Sequence, residues 1–411
     1  MDQPRSALTQ TATAAAPSLP EAHAASAAVA AKRDVRLDLF RGLALWLIFL
    51  DHIPSNAVSW VTIRNYGFSD ATEIFVFISG YTAAFVYGRA MRERGFLLSS
   101  ARILKRAWQI YVAHIFLFTI FMAEIAYVAA TFDNPLYAEE MKILDFLKQP
   151  DVTIFQALLL KFKPVNMDVL PLYIVLLLLF PPMLQLLLRS PNFALAGSAV
   201  LYALTWKFDF NLPAYPNGVW FFNPFAWQLL FVFGAWCALG GAQRLAGVLR
   251  SRVVLAVAVA YLLFAFAITL TWRFEPLERL VPTWLSDLLY PIDKTNLDVL
   301  RFAHFLALAA VTVRFVPRDW PGLKSPFLLP AVRCGQHSLE IFCLGVFLAF
   351  AGQFIITQFS GGPLLQTSVS LLGILLMIAA ASLLSWYKGI EGRSPTARVK
   401  ARDADLAGGE A

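Results

Sequence analysis

Long apolar runs separated by short polar stretches dominate this chain. A helix needs ~20 apolar residues to cross a hydrocarbon core, and about ten stretches come near that length. They lie at roughly 38–58, 69–89, 103–130, 168–188, 192–207, 223–240, 252–272, 298–315, 330–357 and 365–387, the fifth being the shortest. A bilayer admits only helices or closed barrels, and these runs are too long and too uniformly apolar for barrel strands. The pattern predicts an all-α fold: a polytopic integral membrane helical bundle of about ten transmembrane helices. No internal repeat is visible, so nothing supports a transporter built from inverted repeats.

Composition agrees with the pattern. The 411 residues are 58% hydrophobic and 15% charged, whereas a soluble domain is about a quarter charged. The net charge of +7 raises the question of nucleic acid, and the placement of the charge answers it. Lys and Arg cluster in short loops: Lys32, Arg33 and Arg36 before the first span, "GRAMRERG" and "ARILKR" between the second and third, Arg244, Arg250 and Arg252 between the sixth and seventh, Arg314, Arg318 and Lys324 between the eighth and ninth, and Lys388 onward at the end. All fall on one side if both termini are cytoplasmic. No nucleic-acid partner is expected; the lipid bilayer is. The three cysteines sit in apolar segments with no framework or metal spacing.

Residues 1–31, rich in Ala, Pro, Ser and Thr, read as a disordered tail without a signal-peptide pattern. Residues 391–411 form a second polar tail, leaving 32–390 as the membrane domain. On the far side, residues 131–167 have the apolar spacing of short helices lying on the membrane surface. The aromatic loop "FDFNLPAYPNGVWFF" either covers a site or forms an interfacial belt.

The candidate chemistry begins at "DHIPSN", directly after "LALWLIFL". Asp38, Arg41, Leu45, Ile48 and His52 follow spacings of three and four and form one stripe of the first helix. Arg41 and His52 are roughly 16 Å apart at ~1.5 Å per residue. Arg41 either snorkels to the headgroups with Asp38 as its local partner or binds an anionic group such as a phosphate from the cytoplasm. His52 either hydrogen-bonds across helices or faces a cavity as a general base. Pro54 removes a backbone donor and clashes with the Leu50 carbonyl, so it should kink or end the helix and open room beside His52. Asn56, four residues on, is placed to orient the ring.

The second helix opens "SDATEIFVFISGY". Asp70 and Glu73 at i and i+3 fit a capping box, which needs no function. The alternative is that Glu73 approaches His52 and steadies its imidazolium, as the third member of a triad does. Arg301 and His304, one turn apart, are read as lining the cytoplasmic half, Gln228 as an amide seeking a partner within its span, and His114 and Glu124 as packing.

The stretches "RLDLFRGLALWLIFLDH" and "SDATEIFVFISGY", with "MDVLPLYI", "GVWFFNPFAWQLLFVFGAW", "RFAHFLALA" and "GQHSLEIFCLG" further on, resemble the OpgC family, integral inner-membrane proteins that add succinyl groups to osmoregulated periplasmic glucans. The first helix also looks like that of the wider transmembrane acyltransferase superfamily, with ten core helices and a cytoplasmic acyl-CoA donor. The resemblance implies that His52 is the catalytic histidine and Arg41 the arginine at the foot of the first helix. His337 stands where many relatives have Asn, so it inherits no catalytic role.

Together these readings predict a membrane O-acyltransferase of the bacterial inner membrane. His52, Glu73 and Asn56 are its catalytic candidates. Arg41, Asp38, Arg106, Arg301 and His304 are the candidates for binding the donor. No cofactor is permanently bound; acyl-CoA, succinyl-CoA by the resemblance, is the donor substrate and a periplasmic glucan the acceptor. Arg64, Lys207 or Lys294 is available for the carboxylate of a succinyl group. No metal is expected, and a homo-oligomer is compatible with the sequence. A flippase for a glycan or acyl donor, an acetyltransferase acting on a surface polysaccharide, and a scaffold are the competing readings.

Overall fold

A computed structural model describes residues 34–132, 139, 141–359 and 361–391. The tails expected at 1–31 and 391–411 lie almost wholly outside that range. The described residues are helical, with no more strand than a single bridge between Pro213 and Val219. In chain order the helices are α1 (Val35–Asp51), α2 (Ala71–Thr131), α3 (Leu144–Lys148), α4 (Pro150–Leu158), α5 (Val169–Arg189), α6 (Pro191–Phe208), α7 (Pro224–Trp236), α8 (Ala242–Arg250), α9 (Arg252–Thr271), α10 (Glu275–Glu278), α11 (Thr283–Leu289), α12 (Val299–Phe315), α13 (Leu329–Gln336), α14 (Ser338–Gln358) and α15 (Pro363–Glu391).

Six of these stretches are long and apolar enough to cross a membrane: α2, α5, α7 continued through α8, α9, α14 and α15. The apolar helices α1, α6 and α12 are shorter, at 17, 18 and 17 residues. α9 and α15 have mean hydropathies of 2.7 and 2.2 yet bury little of their length. Their exposed Val253, Val257, Leu263, Leu371 and Leu375 are what a lipid-facing surface requires.

Two of the expected spans, 69–89 and 103–130, are arms of one element. α2 runs for 61 residues and breaks at Gly95, whose φ of 78° suits a residue without Cβ. Tyr87 of the first arm and Arg106 and Ile110 of the second line one cavity, so the arms fold back on each other. The expected span 330–357 is in turn interrupted: His337, with φ −114° and ψ 40°, separates α13 from α14. Its ring is tied to Ser385 Oγ (2.9 Å) and to Lys388 Nζ (3.2 Å), a structural arrangement on α15. The surface helices expected within 131–167 are α3 and α4.

Close backbone crossings fix the two helices that carry the site. A Cβ on Gly42 would stand 1.8 Å from the Ala331 carbonyl oxygen, and one on Gly335 would stand 1.8 Å from the Asp38 carbonyl oxygen. α1 therefore crosses α13 at glycine contact distance, as small residues permit. Gly80 of α2 meets the Phe231 carbonyl, and Gly234 of α7 meets that of Phe77, in the same reciprocal way. Gln228 finds its partner in Ser198, whose Oγ donates to Oε1 at 2.6 Å while Nε2 donates to the Ser198 carbonyl at 2.9 Å.

Candidate active site

α1 carries candidate groups near both ends, and its far end is set by proline. The helix stops at Asp51, and His52 N–H bonds back to the carbonyls of Ile48 and Phe49 at 3.1 and 3.2 Å. Pro54 has no N–H to continue the ladder toward Leu50. The chain then turns through Ser55, at φ 56°, into a short 3₁₀ helix over Ala57–Val61. His52 is thus half-buried in the turn that ends α1. Asp70, Lys294 and Arg64 are the charged groups near enough to act on its ring through space.

Asn56 does not orient that ring. Its Oδ1 accepts from Val58 N–H at 3.0 Å and its Nδ2 donates to Ser370 Oγ at 2.9 Å, so it caps the 3₁₀ helix and ties it to α15. Asp51 accepts from Thr62 Oγ1 at 2.6 Å and faces Arg64 Nε at 3.8 Å. Arg64 is thereby held beside α1, while Lys207 rests over the Phe208 ring.

Asp70 and Glu73 form the capping box that the spacing allows. Thr72 N–H donates to Asp70 Oδ1 at 2.8 Å, and Asp70 N–H donates to Glu73 Oε2 at 2.9 Å. Both carboxylates have a further use that local sequence does not reveal. Arg301 donates through Nε to Glu73 Oε1 at 2.9 Å and through Nη2 to Asp70 Oδ2 at 3.1 Å, and Lys294 Nζ donates to Asp70 Oδ2 at 2.5 Å. Glu73 is fully buried and satisfied on both oxygens, and none of its hydrogen bonds goes to His52. The carboxylate that acts on His52 through space is Asp70.

Arg301 and His304 are therefore corrected in position. They stand against the first turn of α2, at the His52 end, instead of lining the other half beside Arg41. His304 Nδ1 lies 3.3 Å from the Ser69 amide and 2.7 Å from Ser69 Oγ. An amide can only donate, so Nδ1 is the acceptor and the ring proton sits on Nε2. That nitrogen faces Gly67, where a Cβ would come within 1.9 Å of it.

Arg41 and Arg106 do converge. Both line a cavity of about 170 Å³ with Thr82, Tyr87, Tyr173 and Ser338 as further polar walls and Phe75, Leu170 and Phe342 among its apolar ones. Arg41 donates to Thr82 Oγ1 at 2.5 Å and to the Ile78 carbonyl at 3.4 Å. The cavity follows α2 from Tyr87 to Phe75, roughly 18 Å at ~1.5 Å per residue, and ends two residues short of Glu73. Asp38 is buried at the α13 crossing and is not among the lining residues.

Lys294 is named by sequence reasoning only for the donor's carboxylate, and its pairing with Asp70 is missed. It sits in the "PIDKTNLD" loop outside any span, and its ammonium lies between Asp70 and the Phe222 ring (5.5 Å). Its backbone carbonyl accepts from Trp227 Nε1 at 3.1 Å. The only sequence signal is a lone lysine preceding a span that itself begins with a buried arginine.

No curated protein and no solved structure matches the chain. A family model described as OpgC protein matches residues 33–389, which takes in every helix described above except the last two residues of α15, and the chain belongs to the OpgC protein family.

Proposed function

We propose that this chain is a membrane O-acyltransferase that moves an acyl group, succinyl by the family resemblance, from a cytoplasmic acyl-CoA to hydroxyls of a periplasmic glucan. Family membership implies a glucan-modifying enzyme of the acyltransferase type. The finer reading has about ten crossings and both termini in the cytoplasm, with α1, α6 and α12 and both arms of α2 crossing alongside the longer helices. The observation that carries it is the division of labour along α1: Arg41 lines a two-arginine cavity, and His52 stands in the broken end roughly 16 Å away at ~1.5 Å per residue.

A thioester donor and a hydroxyl acceptor need that division. The arginines suit the donor's phosphates, since guanidinium–phosphate bonds are charge-assisted and directional. The cavity holds an arm or a phosphate group and not a whole nucleotide, so the nucleotide stays at its mouth. The donor's arm runs along α2 toward Phe75 and brings the thioester to the His52 end. There a ring nitrogen of His52 takes the proton of the sugar hydroxyl, and the oxygen attacks the thioester carbon. A tetrahedral oxyanion forms. Its collapse breaks the C–S bond and expels the thiolate, which takes the proton held by His52 and returns the ring to its neutral form. Among the described residues Asp70 is the one charge that favours the transient imidazolium, against Lys294, its own ion-pair partner, and Arg64.

The test is mass spectrometry of periplasmic glucans from cells expressing the chain or His52→Ala at matched membrane levels. The expected result is an acyl mass increment that the substitution lowers by about 10²–10⁴-fold, the usual worth of a general base. An increment untouched by the substitution removes His52 from the chemistry. Its absence in both strains shifts the reading to a flippase or another acceptor.

A further inference from the structure

Asp168 is the N-cap residue of α5 and lies in the motif "MDVLPLYI", yet its side chain makes no cap bond. Among the described residues no hydrogen bond or ion pair reaches its carboxylate, although Lys163, Lys294 and Lys142 are near enough to act on it through space. The side chain is half-buried and neither oxygen is sealed from solvent, so the carboxylate is open to a ligand.

The aromatic loop positions two of these lysines. In the extended segment 219–222 alternate side chains point to opposite sides: Trp220 and Phe222 are buried at 4% and 5%, Val219 and Phe221 exposed at 57% and 47%. Each buried ring carries one lysine. Lys163 Nζ sits 3.9 Å over Trp220 and donates to the Leu160 carbonyl at 3.1 Å; Lys294 Nζ lies 5.5 Å from Phe222 and donates to Asp70. The segment is pinned to the lysine-bearing loops on both sides. Tyr215 N–H donates to the Lys161 carbonyl at 3.0 Å, and Asn223 bonds the Thr295 carbonyl and Asn296 Oδ1 at 3.1 and 2.7 Å. The result is a group in which the loop holds two ammoniums that both act through space on the Asp168 carboxylate. One of those ammoniums, Lys294, is also the cation next to His52.

We propose that Asp168 binds hydroxyls of the acceptor sugar, in a site completed by Lys163 and Lys294 at the His52 end of the bundle; this rests on the acyl-transfer reading above. A carboxylate accepts from sugar O–H groups, and each ammonium has protons left to donate to sugar oxygens. Acidic and basic groups are nearly balanced here, with Asp51, Asp70, Glu73 and Asp168 against Arg64, Lys142, Lys163, Lys294 and Arg301. An anion would meet the carboxylates and a cation the lysines. A neutral polyol satisfies both without bringing charge, and bonds to charged partners are the stronger ones.

The experiment compares the full chain, Asp168→Asn, Asp168→Glu and His52→Ala, purified in detergent and checked for monodispersity. Two readouts are taken: steady-state acyl transfer with acceptor and donor varied separately, and binding of a β-linked gluco-oligosaccharide followed by tryptophan fluorescence. Asp168→Asn should raise acceptor KM at least tenfold with kcat and donor KM within twofold, Asp168→Glu should recover part of that, and His52→Ala should bind the oligosaccharide while transferring nothing. An Asp168→Asn enzyme whose acceptor KM is unchanged, or whose donor KM rises equally, overturns the site. Wild-type binding that Asp168→Asn abolishes, with no transfer by any variant, keeps the site and overturns the acyl-transfer reading. Absence of both binding and transfer in the wild type overturns both.

Discussion

The two ends of α1 place their arginines in different surroundings. Near its start Arg41 donates to a threonine hydroxyl and a backbone carbonyl and lines a cavity with a second arginine. Past its end, the arginine of the outer cluster, Arg301, is clamped between two carboxylates, one of them fully buried. Both arginines are candidates for the donor's anionic groups from sequence alone. Structure separates them: Arg41 stands on the wall of a cavity, whereas Arg301 is engaged by the carboxylates of Asp70 and Glu73. The His52 end therefore pairs its formal charges, and the proposed proton transfer falls to a histidine, the side chain whose ordinary pKa lies closest to neutrality.

The largest test of this contrast is Arg301→Met. Removing one partner of a buried ion network leaves an uncompensated charge and costs about 3–5 kcal/mol. Glu73 and Asp70 would then face each other through the capping box. The expected outcome is loss of folded protein from the membrane, read as thermal stability in detergent. The double variant Arg301→Met, Glu73→Gln should recover part of it, because the buried charge left behind is gone. If Arg301→Met is as stable as the parent and instead raises donor KM, the clamp is a substrate site and the contrast is wrong.

Arg41→Gln probes the other end. A hydrogen bond to a charged group is worth about 1.5–3 kcal/mol, so donor KM should rise roughly ten- to a hundredfold, at 1.4 kcal/mol per tenfold. Stability and acceptor KM should barely move. Arg106→Gln should act on the same constant in the same direction. An effect of Arg41→Gln on acceptor KM alone would detach the cavity from the donor.

How much of this was legible beforehand follows from where the information resides. The long apolar helices were readable because a bilayer enforces long apolar runs, and the end of α1 was readable because Pro54 acts locally. The capping box was readable from i, i+3 spacing. The clamp was not, since Arg301 lies 228 residues beyond Glu73 and a spacing rule has no purchase on such a pair. The same holds for Lys294 and for the crossing of Gly42 over Ala331. Asn56 was misread for a related reason: its i+4 spacing from His52 presumes a helix that Pro54 has already ended.

Gly42→Val sharpens how α1 is anchored. Its side chain would have to displace the Ala331 backbone, and overpacking of this kind costs about 1–3 kcal/mol. The melting temperature should fall, and donor KM should rise modestly, since Arg41 is the adjacent residue and moves with the helix. A stable Gly42→Val variant with unaltered kinetics would mean that α1 and α13 separate freely and that the inner cavity tolerates the shift.

The smallest effect expected is that of Asn56→Ala, and it discriminates most finely at the His52 end. Loss of an N-cap costs typically ~1 kcal/mol, and the bond to Ser370 on α15 goes with it. Ser370→Ala should reproduce the second part alone. Because Asn56 bonds Val58 and Ser370, the turnover of the folded fraction should stay within twofold of the parent and its pH profile should not shift. A residue that fixed the imidazole tautomer would behave otherwise: its loss would depress kcat at every substrate concentration and move the pH profile of the base. A hundredfold fall in kcat with the melting temperature unchanged would return Asn56 to the side of His52, and the balance of fixed charges drawn here for the outer end would have to include it.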